Sequence, residues 1–301
     1  MNNYLIFRTD RIGDFLITSI LINSIKRNEN NSHITLIVSE KNYDYVKSFE
    51  FVDKIILLKK GLLERIKLIN FLIKKNYKSI IIHDQKNRSK FISFFLRSNL
   101  KILPSINSDE SYIFGIKNIL KKLDFDFIEN DLNTLNNRSY DYSINLKNFV
   151  MLHFDEKWLK NTYIESYVCI EPIKSEFVSL LIDIVKKTSK KLVVTSGLVK
   201  NNLFDDIKNL KINENIIFLN NLTFLQIESL INDTDLLISC HGATSHVAAA
   251  KNKKQIDIIE KKKYLFYRKW TYHFRNYNYI YRKKFSDLSK DLLKLLYFNF
   301  I

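Results

Sequence analysis

Two short segments of this 301-residue chain combine residue types that can move protons and hold phosphates. The first is RTDRIGDF, residues 8–15, which joins an apolar run to a helix-period run. A carboxylate at a cleft rim can take the proton of an attacking hydroxyl, and Asp14 is the candidate base. For an isolated Asp at a helix start the favoured reading is a first-turn or N-cap acid, a role stabilising by about 0.5–2 kcal/mol. Arg8 and Arg11 suit a phosphate or an acidic acceptor, or are plain surface charges. Gly13 permits a close backbone approach or a sharp turn.

The second segment is SCHGATSHVAAA, residues 239–250. An apolar strand runs into Cys240 and His241, a turn uses Gly242 and Ala243, and a small-residue helix opens near Thr244 and Ser245. Backbone N–H groups at such a helix start form an anion site. The Thr244 and Ser245 hydroxyls either cap the helix or bond phosphate oxygens, and His246 falls in the first turn. Two histidines bracketing Gly-Ala-Thr-Ser favour ligand binding over a structural role. No acid or cysteine stands at zinc-ligand spacing from them. A third segment, HFDEKW at 153–158, takes a donor-side reading only from the family resemblance given below, with Lys157 to neutralise phosphate charge and Trp158 to pack on a base or sugar. The alternative there is an amphipathic loop with a half-buried Trp. Ser196 and Gly197 end a strand and either join the same cleft or simply turn the chain.

Residues 261–284 hold nine Lys/Arg, nine aromatic residues and no acid. That mixture fits an anionic membrane face or an acidic acceptor. Single-stranded nucleic acid ranks below these, because no recognised nucleic-acid motif accompanies the charge. The run 277–281 also alternates like a strand, which would place its rings in a core.

The elements that position these loops follow from periodicity. Continuous apolar runs at 4–8, 33–38, 53–58, 79–84 and 101–103 alternate with helix-period runs at 15–26, 62–75, 89–97 and 112–122. Such alternation predicts a parallel sheet covered on both faces. Residues 124–148 are polar and Asn-rich and are expected to connect two halves. The pattern then restarts, with strands at 149–154, 191–195, 216–219, 235–239 and 255–259 and a closing amphipathic helix at 286–296. Two domains are expected, 1–145 and 146–301, with the last helix a candidate to pack back on the first. Ligands of doubly wound units sit at strand C-termini.

Composition sets the remaining bounds. A net charge of +16 attracts phosphates, nucleic acid or an anionic bilayer, or reflects a Lys-rich solvated surface. Two distant cysteines support neither a disulfide framework nor a zinc cluster. The start MNNYLIFRTD lacks a signal-peptide pattern, and no run nears the roughly 20 apolar residues of a membrane span. A soluble protein in the reducing cytoplasm is expected.

RTDRIGDFLITSILINSIKR resembles the opening of the heptosyltransferase-like enzymes of glycosyltransferase family 9, with their R-x-x-x-x-G-D loop. The second loop resembles that family's D-T-G-x-x-H-x-A-A segment, which contacts the donor diphosphate. The two matches occur in the right order near both ends of the chain. The resemblance implies a GT-B-type α/β fold of two doubly wound Rossmann-like domains facing across a cleft. It also implies an inverting, metal-independent transfer from a nucleotide-activated sugar, often ADP-heptose, in lipopolysaccharide core synthesis. No cofactor is implied beyond the nucleotide-sugar substrate. A lipid-linked or phosphorylated glycan would be the acceptor, reached at the inner face of the cytoplasmic membrane. By the same resemblance Asp14 is the base, Gly242, Ala243, Thr244, Ser245 and His246 cradle the diphosphate, and Lys157 belongs to a Lys-Trp pair near the donor. The chain departs from the family where His241-Gly242-Ala243 replaces Asp-Thr-Gly, reversing the acid–base character of the first position. That departure supports one rival reading, a nucleotide-sugar-binding protein without turnover. The spellings DFD (124–126) and DTD (233–235) fit an acidic metal motif but fall in the connection and at a helix–strand junction.

Overall fold

The computed structural model describes residues 2–104, 110–135, 138, 142–160, 162–210 and 212–300. The chain forms two compact units, Met1–Thr134 and Leu135–Ile301, divided somewhat earlier than the sequence-based boundary. Residues 136, 137 and 139–141 of the expected connection lie outside the described residues.

The first unit runs β1 (Asn2–Phe7), α1 (Ile12–Asn28), β2 (Ser32–Val38), α2 (Tyr43–Val46), β3 (Lys54–Leu57), α3 (Leu62–Leu72), β4 (Asn76–Ile81), α4 (Asn87–Phe94), β5 (Arg97–Ile102) and α5 (Tyr112–Lys122). Its five strands pair in parallel in the order β3-β2-β1-β4-β5. Residues 4–7 of β1 are fully buried, as expected of a strand covered on both faces. Helix α1 is buried over nearly its whole circumference from Phe15 to Ile25. The sequence pattern carries the helix that opens at 89 on to residue 97 and opens the next strand at 101, whereas β5 begins at Arg97. The reason is its edge position: β5 is half-buried and alternates RSNLKI, so it lacks the continuous apolar signature of its neighbours.

The second unit runs β6 (Phe149–His153), α6 (Lys174–Thr188), β7 (Leu192–Thr195), α7 (Asn202–Lys208), β8 (Ile216–Leu219), α8 (Phe224–Asp233), β9 (Thr234–Cys240), α9 (Ala243–Ala250), β10 (Lys254–Ile259), α10 (Tyr264–Thr271), β11 (Tyr277–Tyr281) and α11 (Phe285–Phe300). Its six strands are parallel in the order β11-β10-β9-β6-β7-β8. Counted within the unit, this is the doubly wound order of dinucleotide-binding folds, and the first unit has the same order without a sixth strand. Leu288, Leu292 and Leu296 bury the apolar stripe of α11 in this unit's core, where the helix packs on α6. Among the described residues, no helix is long and apolar enough to cross a membrane.

Candidate functional site

In each unit the strand order reverses between its first and fourth strands, β1/β4 and β6/β9. Ligands of such sheets bind outside the strand C-termini at that reversal. The loops singled out by sequence emerge there: 8–11 after β1, 154–158 after β6 and 241–242 after β9.

In the first unit, Asp14 is the third residue of α1, and its Oδ2 accepts the Arg11 backbone N–H at 3.1 Å. The helix-capping role is therefore real, yet about a quarter of the side chain stays exposed. Arg8 is buried; its Nη1 stands 3.2 Å from Asp10 Oδ2 and 4.0 Å from Asp14 Oδ1. Burial raises the Asp14 carboxyl above its usual value; Arg8 opposes that shift and Asp10 reinforces it. Arg8 Nε donates to Thr18 Oγ1 at 2.6 Å, and that hydroxyl meets His83 Nδ1 at 2.9 Å. Burial, then Arg8, keeps His83 neutral.

The loop is riveted from the neighbouring strand. Asp84, past the end of β4, accepts from the Thr9 hydroxyl at 2.5 Å and the Ser89 hydroxyl at 2.7 Å. Lys86 pairs with Asp10, and Arg88 donates to Thr9. Arg11 is exposed. Gly13 lies inside the first turn of α1 and has no positive φ, so residues 8–11 make the turn rather than this glycine. His83 and Asp84 were visible as the polar end of an apolar strand, but only the β1–β4 adjacency gives them partners.

In the second unit, Gly242 precedes α9 and receives Lys157. A Cβ built at Gly242 would fall 2.7 Å from Lys157 Nζ and 3.2 Å from its Cε. The ammonium thus sits against the N-terminus of α9. Lys157 Nζ also pairs with Asp155 Oδ2 at 2.5 Å. Burial lowers the ammonium, but the Asp155 charge outweighs it and holds the group above its ordinary value. Arg282, buried after β11, donates to Lys157 O at 2.8 Å and contacts Cys240 Sγ at 3.5 Å, joining the two loops.

His241 Nδ1 stands 2.7 Å from Asp257 Oδ2, while Ser245 Oγ donates to Asp257 Oδ1 at 2.7 Å and accepts from Gly242 N at 3.2 Å. The fully buried Asp257, on β10, therefore holds a carboxylate within hydrogen-bond distance of both His241 and Ser245. Thr244 Oγ1 reaches Ser239 Oγ at 3.4 Å. His246 is buried among His241, Trp270 and Phe274, with ring centroids 5.3–5.7 Å away. Burial, then His241 and His273, holds it well below its usual value, so it acts as a neutral ring. Burial pushes the Cys240 thiol up to about 12, leaving it an inert apolar group.

Trp158 is completely buried and donates Nε1–H to His153 O at 3.0 Å, so it belongs to the core and leaves no face for a base or sugar. Ser196 is buried and lines a pocket of about 360 Å³ at the C-terminal ends of β7 and β8, with Lys200, Asn201, Phe204 and Asn220. Gly197 faces open space. Asp233 ends α8 and Asp235 is the second residue of β9, a seven-residue strand whose far end leads to His241. About 20 Å of strand separates them from the α9 loop. Asp126 pairs with Arg27. In 261–284, Tyr267 and Phe274 are buried and 277–281 forms strand β11, while Leu265, Phe266 and Tyr272 are exposed. Asp257, Arg282 and Asp155 were not found by sequence reading; the one signal was an acid inside the apolar strand QIDII.

No protein-family model matches the sequence, and no curated protein matches it. Solved structures do. E. coli heptosyltransferase WaaC with ADP is 11% identical, with 99% of this chain and 100% of that chain covered and a TM-score of 0.74. A family 9 glycosyl transferase from Veillonella parvula DSM 2008 is 11% identical over 97% and 89% of the two chains, TM-score 0.68. E. coli ADP-heptose lps heptosyltransferase II is 13% identical over 99% of each, TM-score 0.65. Putative UDP-N-acetylglucosamine 2-epimerase from Listeria monocytogenes shares the architecture more distantly, at a TM-score of 0.60. Over nearly its whole length, this chain is heptosyltransferase-like in fold, similar to glycosyltransferase family 9.

Proposed function

We propose that this protein is a glycosyltransferase that moves a sugar of the heptose class from a nucleoside-diphosphate donor to a hydroxyl of lipopolysaccharide or a related cell-surface glycan. The observation that carries this reading is the Lys157 ammonium lodged against the start of α9 at Gly242. A cation and a set of helix N–H groups converge there, the arrangement that favours a diphosphate. The likeness to a heptosyltransferase structure holding ADP-2-deoxy-2-fluoro heptose supports the same donor class.

In this mechanism the donor diphosphate rests on the α9 N–H groups with Lys157, Thr244 and Ser245. Its nucleoside extends toward the pocket at the ends of β7 and β8. Asp14 takes the acceptor O–H proton. The acceptor oxygen then bonds to the anomeric carbon from the face opposite the diphosphate, giving inversion. The bond to the diphosphate breaks, and the leaving oxygen keeps the electron pair. Lys157 and the α9 dipole stabilise that charge without requiring a metal. The raised carboxyl of Asp14 makes it a better base than an ordinary aspartate. Arg8, Arg11 and the backbone at Gly13 line the acceptor side. The basic segment 261–284 contacts the acidic acceptor or an anionic membrane, and the site of action is the cytoplasmic face of that membrane.

A thermal-shift titration with ADP, GDP, UDP and CDP tests the donor site. One of them should raise the melting temperature saturably, because ligand bound only to the native state stabilises it. No shift with any of the four, from folded protein, would remove the donor-site assignment.

A further inference from the structure

Among the described residues, ten of the large apolar side chains left exposed by folding fall between residues 62 and 114, eight of them on or just beyond α3 and α4. The two helices touch and cover one face of the first sheet. Leu68, Ile69 and Leu72 of α3 join Ile92 of α4 and Leu96 in a core cluster on Leu5, Phe7 and Ile80. Among the described residues, their outer surfaces have no such partner. Leu62, Ile66 and Ile73, at i, i+4 and i+11, align in one stripe with Leu63 beside them. Leu63 is 72% exposed. On α4, Phe94 is 77% exposed, and Phe91 and Phe94 each pack edge-on against Phe95 at 5.2 and 5.3 Å.

The charge around these side chains is one-sided. Residues 59–101 contain twelve Lys/Arg against Glu64 and the buried Asp84, and Glu29 and Asp10 from outside the segment pair with Lys78 and Lys86, leaving a net +8. Exposed apolar stripes inside a strongly basic field match the surface of an anionic bilayer, where leucines and phenylalanines enter the headgroup boundary and cations meet lipid phosphates. A second copy of the chain would bring the same positive field and be repelled. Nucleic acid would use the cations and rings but gain nothing from Leu62, Leu63, Ile66 and Ile73. The position also fits. Arg88, in the first turn of α4, donates to Thr9 of the Asp14 loop, and Phe95 lies about 10 Å further along that helix.

We propose that the outer faces of α3 and α4 dock this protein on an anionic lipid bilayer. The surface belongs to the first unit, the basic aromatic segment 261–284 belongs to the second, and bilayer binding does not depend on the sugar-transfer reading, since it needs no donor.

The test is flotation of the full chain with vesicles of phosphatidylcholine alone or with added phosphatidylglycerol, at low and high salt. The wild type should float with the anionic vesicles, less so at high salt. Leu63→Glu/Phe94→Glu should lower partitioning at least about tenfold, while Phe266→Glu/Tyr272→Glu should lower it far less. All the altered side chains are exposed, and circular dichroism checks the fold. Hydrogen exchange on the wild type gives a readout without substitution: vesicles should protect peptides from α3 and α4. Absence of wild-type binding, equal binding by Leu63→Glu/Phe94→Glu, or loss and protection confined to 261–284 would each overturn the proposal. So would a wild-type dimer, dissolved by Leu63→Glu/Phe94→Glu, that ignores vesicles.

Discussion

Gly242→Ala is the smallest change that interrogates the donor loop. The φ of Gly242 is 175°, extended backbone that alanine adopts without strain, so the effect comes from the added methyl group alone. That methyl would lie 2.7 Å from Lys157 Nζ, whereas ordinary contact is about 3.5–4.0 Å. The ammonium must retreat by about 1 Å. Its freedom to do so is limited by Asp155 Oδ2 at 2.5 Å and by Arg282, which holds Lys157 O at 2.8 Å. Displacing the cation from the diphosphate costs about one charge-assisted hydrogen bond, roughly 1.5–3 kcal/mol. The Kd for whichever nucleoside diphosphate the wild type binds should therefore rise about 10- to 150-fold. Calorimetric titration measures this, and the melting temperature should change by only a few degrees. The same substitution in a Lys157→Met background should add little, because its target is already gone. An unchanged Kd for Gly242→Ala, or equal losses in both backgrounds, would refute the reasoning.

Asp14→Asn keeps an acceptor for the Arg11 N–H but removes the base, so sugar transfer should fall about 10²- to 10⁴-fold while nucleotide affinity persists. Its melting temperature at neutral pH should hold or rise. The Asp14 carboxyl is raised in the folded state, so its contribution to stability is present at low pH and lost as pH rises through that raised value. The histidines act in the opposite sense. Burial lowers His153 to about 4 and His273 to about 3, and holds His83 and His246 well below the usual value. The unfolded chain then binds more protons, so stability should fall as pH drops from about 6.5 toward 4, by about 3 kcal/mol for His153 alone. Denaturant titrations at pH 7 and pH 5 check the trend, and a midpoint that does not fall would contradict it. Leu292→Ala, within the α11 stripe, should destabilise the second unit by about 2–5 kcal/mol in the same titration.

The sequence by itself determined most of the architecture. Strands buried on both faces write themselves as unbroken apolar runs, and covering helices write a 3.6-residue period, so both sheets and most helices were legible. The edge strand β5 was not, because half-burial gives it a weaker and different pattern. The Asp14 loop and the Gly242–His246 loop were legible for a related reason: each is local, a strand end, a turn and a helix start in consecutive residues.

What only the tertiary structure decided is how those loops are completed. The pairing of β6 with β9 sets Lys157 against Gly242, and the pairing of β9 with β10 sets Asp257 behind His241 and Ser245. Arg282 follows β11, the neighbour of β10, and from there reaches Lys157 and Cys240. Parallel strands meet only through long crossovers, so their adjacency and register are set by global packing and leave no trace in local residue spacing.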